Sequence, residues 1–345
     1  MSDKLENFNS PEKKVLLEYF KTIPMMDNWI ASVIENYIYA YVEYTDEQGI
    51  LVKYKTKYGL KDGEANAYYP NGQLQNKYFF IEDKLEREGL ELFDDGTLRV
   101  KSYYKDNKLN GEFTAYHPNG NILTRKFFVN DKHNGEYNEW FDDGVLKVNF
   151  RYINDKAEGI KREWWSNGIL RIKCSYEDGK ENGEYKSWYH NRQLNTQTTY
   201  IDGKLNGEYK EWWNDGQIRI QTNYVNGIHN GEYKSWWPNG HIYIQSTYID
   251  GKPHGEYNSW FNNGQLCVQT TYIEGERHGE YKLWFNNGQL NVQTTYVEGK
   301  YHGEYKMWYD NGQIREHSTY VDGKRQGDYK TWDEQGNLFD WINPM

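Results

Sequence analysis

Residues 231–254 read GEYKSWWPNGHIYIQSTYIDGKPH. Two dipeptides punctuate the stretch, Asn239-Gly240 and Asp250-Gly251, each flanked by residues that favour strands. Both are hairpin signals, because a type I′ turn needs φ > 0 at its two central positions. The implied pairs across the first turn are Trp237 with Ile242, Ser235 with Ile244 and Tyr233 with Ser246. Across the second they are Tyr248 with Pro253, Ser246 with Gly255 and Ile244 with Tyr257. Paired residues share a face, so one face collects Tyr233, Trp237, Ile242, Ile244, Tyr248 and Tyr257. The other collects Glu232, Lys234, Trp236, Tyr243, Gln245 and Thr247. A mainly apolar face and a mixed face thus separate under one register.

Working outward, the unit recurs with a period of 24 residues. The turn glycine returns at 72, 96, 120, 144 and 168, is replaced by Arg192, and resumes from Gly216 to Gly336. A second glycine keeps another phase at Gly63 and from Gly111 to Gly327, broken by Arg87 with Gly89 displaced nearby. Gly231, in this phase, is expected to leave room for the rings of Tyr233 and Tyr248, and conformational need is the bland reading of every glycine here. Before Gly72 the pattern decays, with Asp46-Glu-Gln-Gly49 as a degenerate copy. A fixed period of this kind marks a repeat architecture. The fold expected is mainly β: an elongated, single-layer antiparallel β-hairpin array, a twisted meander of about 12 repeats over residues 46–345. At about 9 to 10 Å per repeat its length is on the order of 110 Å, and accumulated twist is expected to curl the aromatic face into a trough.

Units such as Tyr248-Ile-Asp-Gly-Lys-Pro-His-Gly-Glu-Tyr257 resemble MORN repeats, in the variant that adds an Asn-Gly-Gln-Leu turn. The resemblance covers residues 58–338. That variant occurs in bacterial antitoxin-like proteins and in repeat proteins of large DNA viruses. The resemblance implies a single-layer hairpin array used for protein or lipid contacts, with no catalytic residues. The chain departs from the standard pattern in carrying Gly255-Glu-Tyr257 where Gly-x-Gly is usual.

Composition narrows the function classes. A net charge of −10 with no basic run argues against nucleic acid and anionic membrane, both held mainly by Lys and Arg. No apolar run approaches a membrane span and Met1-Ser-Asp-Lys-Leu-Glu lacks a secretory h-region, so a cytoplasmic location is expected. Cys174 and Cys267, nearly four repeats apart and on opposite faces by phase, cannot bridge. His254, His278 and His302 share one phase but stand about 9 to 10 Å apart, too far for one metal ion. The row Glu184, Glu208, Glu232, Glu256, Glu280 and Glu304 accompanies Lys186, Lys210, Lys234, Lys282 and Lys306, which reads as a polar ladder on the mixed face. No nucleophile elbow, phosphate loop or nucleotide fingerprint is present. Neither enzyme activity, cofactor nor metal is expected.

Residues 1–45 stand outside the array. Ser10-Pro11 opens one candidate helix with Val15, Leu16, Tyr19, Phe20 and Ile23, and a second begins near Asp27 with Trp29, Ile30, Val33, Ile34, Tyr37 and Ile38. They are read as an α-helical cap over the first strand edge, or as a recruitment segment. Tyr37 to Tyr44 also alternates as a strand would.

The strongest functional candidate is a row on the mixed face: Trp140, Trp164, Trp188, Trp212, Trp236, Trp260, Trp284, Trp308 and Trp332. Packing over lysine stems would account for it. A ladder of aromatic platforms for a partner would too, since Trp dominates interaction hot spots. The expected function is therefore a monomeric, non-enzymatic scaffold for an unidentified protein partner. The alternatives are an antitoxin-like protein that neutralises one enzyme, or a lipid-associating protein.

Overall fold

The structure, a computed structural model, describes residues 38–339, which fall into two compact units, up to Lys156 and from Ala157. The helices expected before Ile38 lie outside the described residues. In the first unit, strands run in chain order from Tyr39–Thr45, paired with Leu51–Lys57, to Leu146–Ile153. In the second they run from Lys156–Trp164 to Leu338–Phe339. Each unit is an antiparallel hairpin array in which strands pack on their neighbours in the chain. The sheet of each unit stays open, without the curl expected of the aromatic face.

Two irregularities per repeat modify the simple register. Gly240 N–H donates to the Trp237 carbonyl at 2.9 Å and Trp237 N–H to the His241 carbonyl at 2.8 Å. Gly240 has φ 83° whereas Asn239 is not left-handed. The Asn-Gly turn is therefore a type I turn closed by a left-handed glycine, not type I′. The extra residue makes a bulge: Ser235 still faces Ile244, but Trp236, not Trp237, faces Ile242. Tyr243 consequently crosses to the tyrosine face, its ring centroid 4.2 Å from that of Trp237, and Ile242 joins Trp236 on the mixed face. Cys267, in the phase of Tyr243, lies beside Ser259, so it shares the tyrosine face with Cys174.

The Asp-Gly turn is type I′ as expected, with Asp250 at φ 48° and Gly251 at φ 79°. Beyond it a second bulge intervenes. Tyr248 faces Pro253, yet Ser246 faces Tyr257 and Ile244 faces Ser259, two residues off the simple count. Because the offset is even, the faces survive. Gly255 supplies the left-handed residue of that bulge, at φ 83° with nothing near a would-be Cβ. At Gly231 an added Cβ would meet Asn223, not the tyrosine rings. Conformation, not room for rings, selects these glycines.

Arg192 (φ 72°) and Arg87 (φ 67°) adopt the left-handed conformation of the glycines they replace. A non-glycine residue there costs roughly 1 to 2 kcal/mol. The Arg87 guanidinium sits 4.0 Å from the Phe79 ring centroid, a cation–π contact that offsets part of its cost. Arg192→Gly is accordingly expected to raise the urea midpoint, Arg87→Gly to raise it less, and Gly216→Arg to lower it. Equal, negligible shifts for Arg192→Gly and Gly216→Arg would contradict the turn assignment.

The repeats are stitched by donors reaching about one repeat onward. Turn asparagines donate to the next turn, as Asn119 Nδ2 to the Asp142 carbonyl at 2.7 Å and Asn287 Nδ2 to Asp310 at 2.8 Å. Turn aromatics reach the carbonyl of the next row tryptophan: Trp165 Nε1 to Trp188 at 3.1 Å, Tyr189 Oη to Trp212 at 2.9 Å and Trp237 Nε1 to Trp260 at 3.0 Å. Type I′ turns differ between the units. In the first, apart from Tyr58-Gly59, the second turn residue is Asp or Asn, and Asp83, Asn107, Asp131 and Asp155 accept backbone N–H groups of the preceding repeat at 2.6 to 2.7 Å. In the second it is Gly, which leaves only its own N–H donation, as from Gly227 to the Leu205 carbonyl at 2.8 Å.

On the tyrosine face successive repeats of the second unit, from Tyr185 onward, close an edge-on ring pair over small residues. Tyr185–Tyr200, Tyr209–Tyr224, Tyr233–Tyr248, Tyr257–Tyr272 and Tyr281–Tyr296 have centroids 5.6 to 5.9 Å apart. Beneath them lie Thr198, Thr222, Ser246, Thr270 and Thr294, all buried. The Thr270 hydroxyl has no partner, whereas that of Thr222 lies 3.2 Å from His229 Nδ1. Removing an unpaired buried hydroxyl relieves a desolvation cost, while removing a paired one strands its partner. Thr270→Val is expected to stabilise by about 1 kcal/mol and Thr222→Val to destabilise by a similar amount. Denaturant melts giving the same sign for both would contradict this.

Candidate interaction surface

All nine row tryptophans are half-buried. In each hairpin the tryptophan faces an aliphatic residue across the bulge: Trp188 with Leu194, Trp212 with Ile218, Trp236 with Ile242, Trp260 with Leu266. Taken in strand order within the second unit, Trp and Leu/Ile alternate in one apolar stripe beside the Asn-Gly turns. The turn tryptophans Trp165 and Trp237 spend their indole N–H on a carbonyl. Among the described residues, no row tryptophan has an acceptor for its indole N–H, and none of those nitrogens is a buried orphan of the kind found at Trp213. The row therefore presents solvent-accessible donors.

Next to the stripe lies the ion-pair ladder. Lys210 Nζ meets Glu208 at 2.8 Å, Lys234 meets Glu232 at 2.6 Å, Lys282 meets Glu280 at 2.8 Å and Lys306 meets Glu304 at 2.6 Å, with Lys186 and Glu184 likewise paired. The lysine beside each of Glu208, Glu280 and Glu304 holds its carboxyl below the ordinary value. Exposed pairs of this kind add little stability; they keep the face soluble. Glu256 has Asn258 where its counterparts have lysine and makes no ion pair among the described residues.

A second apolar row, missed from the sequence, borders the ladder at the Asp-Gly edge. Ile201 is 49% exposed, and Val225, Ile249 and Ile273 are comparably open. Their signal was present in the recurrent β-branched residue before each Asp-Gly or Glu-Gly pair, but strand propensity explained it without a surface role.

The tyrosine face is more enclosed. Burial pushes the hydroxyls of Tyr185, Tyr233's partner Tyr248, and Tyr257 up, and that of Tyr209 to about 12 with help from Glu211. Its outer rank intercalates between successive tyrosines: His229 lies 4.2 Å from the Tyr224 ring and 5.4 Å from the Tyr248 ring, and Arg277 bonds the hydroxyls of Tyr272 and Tyr296. His229 Nε2 is 2.9 Å from the Tyr224 hydroxyl, so a neutral imidazole can donate on one side and accept on the other. Burial pushes its pKa down. A depressed histidine pKa means the unfolded chain binds the proton more readily, so stability is held above the ordinary value near 6.5 and lost as pH falls through it. The melting temperature is expected to drop between about pH 7.5 and pH 5.5, and His229→Phe to flatten that dependence. An unchanged slope in the variant would exclude His229 as its source.

No group of three or more His, Cys, Asp or Glu among the described residues is placed to hold a metal ion. Cys174 is buried and Cys267 half-buried, both as free thiols that burial pushes up. No described helix is long and apolar enough to cross a membrane.

A family model described as the MORN repeat variant matches residues 61–82, 109–130, 157–178, 205–226, 230–250, 253–274, 277–298 and 301–322, together just over half of the chain. The chain belongs to the MORN repeat variant family. Each matched window is one hairpin, with the bulge glycine near its start and the first residue of a type I′ turn at or near its end. Two of the unmatched MORN-type hairpins, over 85–106 and 181–202, contain Arg87 and Arg192 at glycine positions yet form the same strands. A comparison with curated proteins found no match. Two solved structures with similarity are the crystal structure of TcdB2-TccC3, at 12% identity over 91% of this chain and 19% of that one, and that of TcdB2-TccC3-Cdc42, at 10% identity over 84% and 20%. Both have a TM-score of 0.17, too low to carry an inference about fold or function, and the chain spans about a fifth of their length.

Proposed function

We propose that this MORN-repeat chain is a non-catalytic scaffold that holds a protein partner along the tryptophan stripe of its mixed face. The observation that carries the reading is the row of indole N–H donors without protein acceptors, beside turn tryptophans whose donors are all directed into the fold or buried. A side chain needed only for packing has no reason to keep its polar edge in solvent at every repeat. A partner touching several repeats gains affinity through effective concentration. Lipid contact is disfavoured by the net charge of −10. An antitoxin-like inhibitor, the finer reading offered by the resemblance, would use the same stripe against one enzyme. The test is capture of cellular proteins by the full chain and by its Trp212, Trp236 and Trp260→Gln variant. Identical captured sets would sink the proposal.

A further inference from the structure

The stripe has a pitch. One repeat advances two strand spacings, about 9.6 Å, so the row tryptophans and their free donors recur at that interval. Three ligand backbones can be compared with it. An extended strand returns to the same face every two residues, roughly 6.6 Å, and falls out of phase after one repeat. A helix returns after seven residues, roughly 10.5 Å, and its carbonyls are already bonded to its own backbone. A polyproline II segment returns after three residues, about 9.3 Å, with every carbonyl free to accept. Only the last matches both the spacing and the chemistry of the row.

We infer that the tryptophan stripe of the second unit receives a proline-rich segment in the polyproline II conformation, one ligand turn per repeat, with row indoles donating to its carbonyls. This rests on the stripe being the binding surface and names the partner's chemistry. Proline rings pack in the valleys between Trp212, Trp236 and Trp260, floored by Ile218 and Ile242. Aromatic ridges with rigid, preformed ligands are the general physics of such recognition, because little chain entropy is lost on binding. Charge sets the register. Glu256, alone in the acidic row from Glu184 to Glu304 in lacking a lysine two residues on, favours a ligand with a basic residue near the third of these tryptophans.

The probe is a Pro-Pro-Leu repeat peptide of about four repeats, with and without one Arg for Leu, added to full-length chain carrying ¹⁵N-labelled tryptophan. The row indole N–H resonances are expected to move, while those of Trp165 and Trp237, which already donate to carbonyls, stay still. Trp212, Trp236 and Trp260→Phe, which keep the rings and delete the donors, should weaken binding roughly tenfold or more. Glu256→Gln should weaken the Arg peptide alone. Equal binding of a heptad-leucine helical peptide of the same length would overturn the inference, as would row resonances that do not respond. If the Gln variant loses cellular partners but the proline peptide moves no row indole, the surface stands and the polyproline assignment falls. If the Gln variant keeps every partner, the surface itself is wrong.

Discussion

Gly89→Tyr is expected to destabilise the first unit by about 3 kcal/mol, and Tyr78→Thr added to it to recover most of the loss. Gly89 holds the place where later repeats have Tyr185 or Tyr209, and Tyr78 the place where they have Thr198 or Thr222. The two positions face each other across neighbouring strands, and Ala65 flanks Tyr78 on the other side. The single ring has simply changed strand. Tyr78 closes the edge-on pair with Tyr104 at 6.0 Å, matching the pairs of the second unit, and its hydroxyl donates to Glu91 at 2.7 Å. A Cβ on Gly89 would stand 2.6 Å from the Tyr78 ring and 3.0 Å from that of Tyr104, so a full side chain has nowhere to go. Tyr78→Thr alone removes the ring and should cost about 2 to 3 kcal/mol. The double variant restores the usual arrangement, with Glu91 still held by Arg99 at 2.6 Å. A double-mutant cycle on urea midpoints should show a coupling of about 4 to 5 kcal/mol, nearly the sum of the two single losses. Additive losses would mean that Tyr78 and Gly89 are not one exchanged pair.

That exchange illustrates how much of the fold was open to reading. The period, the type I′ turns at Asp250-Gly251, the hairpin pairs Ser235–Ile244 and Tyr233–Ser246, and the polar ladder all follow from local turn chemistry and alternation. The bulges do not. Asn-Gly serves both a type I′ turn and a type I turn closed by a left-handed glycine, and the two differ by one residue of register. The discriminating sign was Pro238, together with Pro70 and Pro118: proline suits the second position of a type I turn, whereas a type I′ hairpin would place it in the strand beside the loop. Ignoring it exchanged the faces of Ile242 and Tyr243. The exposure of the row tryptophans was illegible for another reason. Phase gives the face, but which neighbours cover a ring depends on where the bulge puts Leu194 or Ile218, and that is a tertiary fact.

Replacing Trp212, Trp236 and Trp260 together with Gln is expected to weaken partner capture by a hundredfold or more, taking roughly 1 kcal/mol or more at each ring. The effect on folding should be smaller. Each ring is half-buried between the aliphatic residues of the strands on either side, so truncating it forfeits on the order of 1 to 2 kcal/mol. The structural burden falls elsewhere, on the tyrosine pairs, the buried Ser and Thr beneath them, and the donors from turn residues to the next repeat. Two of those donors end on row positions but use the backbone carbonyls of Trp212 and Trp260, which glutamine retains. The far-ultraviolet β signal and a cooperative melt should therefore persist while capture disappears. If the variant instead loses its β signal, the row is holding the sheet together. The partner surface would then have to be the exposed rail of Ile201, Val225, Ile249 and Ile273 on the far side of the ion-pair ladder, where substitution by Thr removes apolar contact and leaves the strands intact.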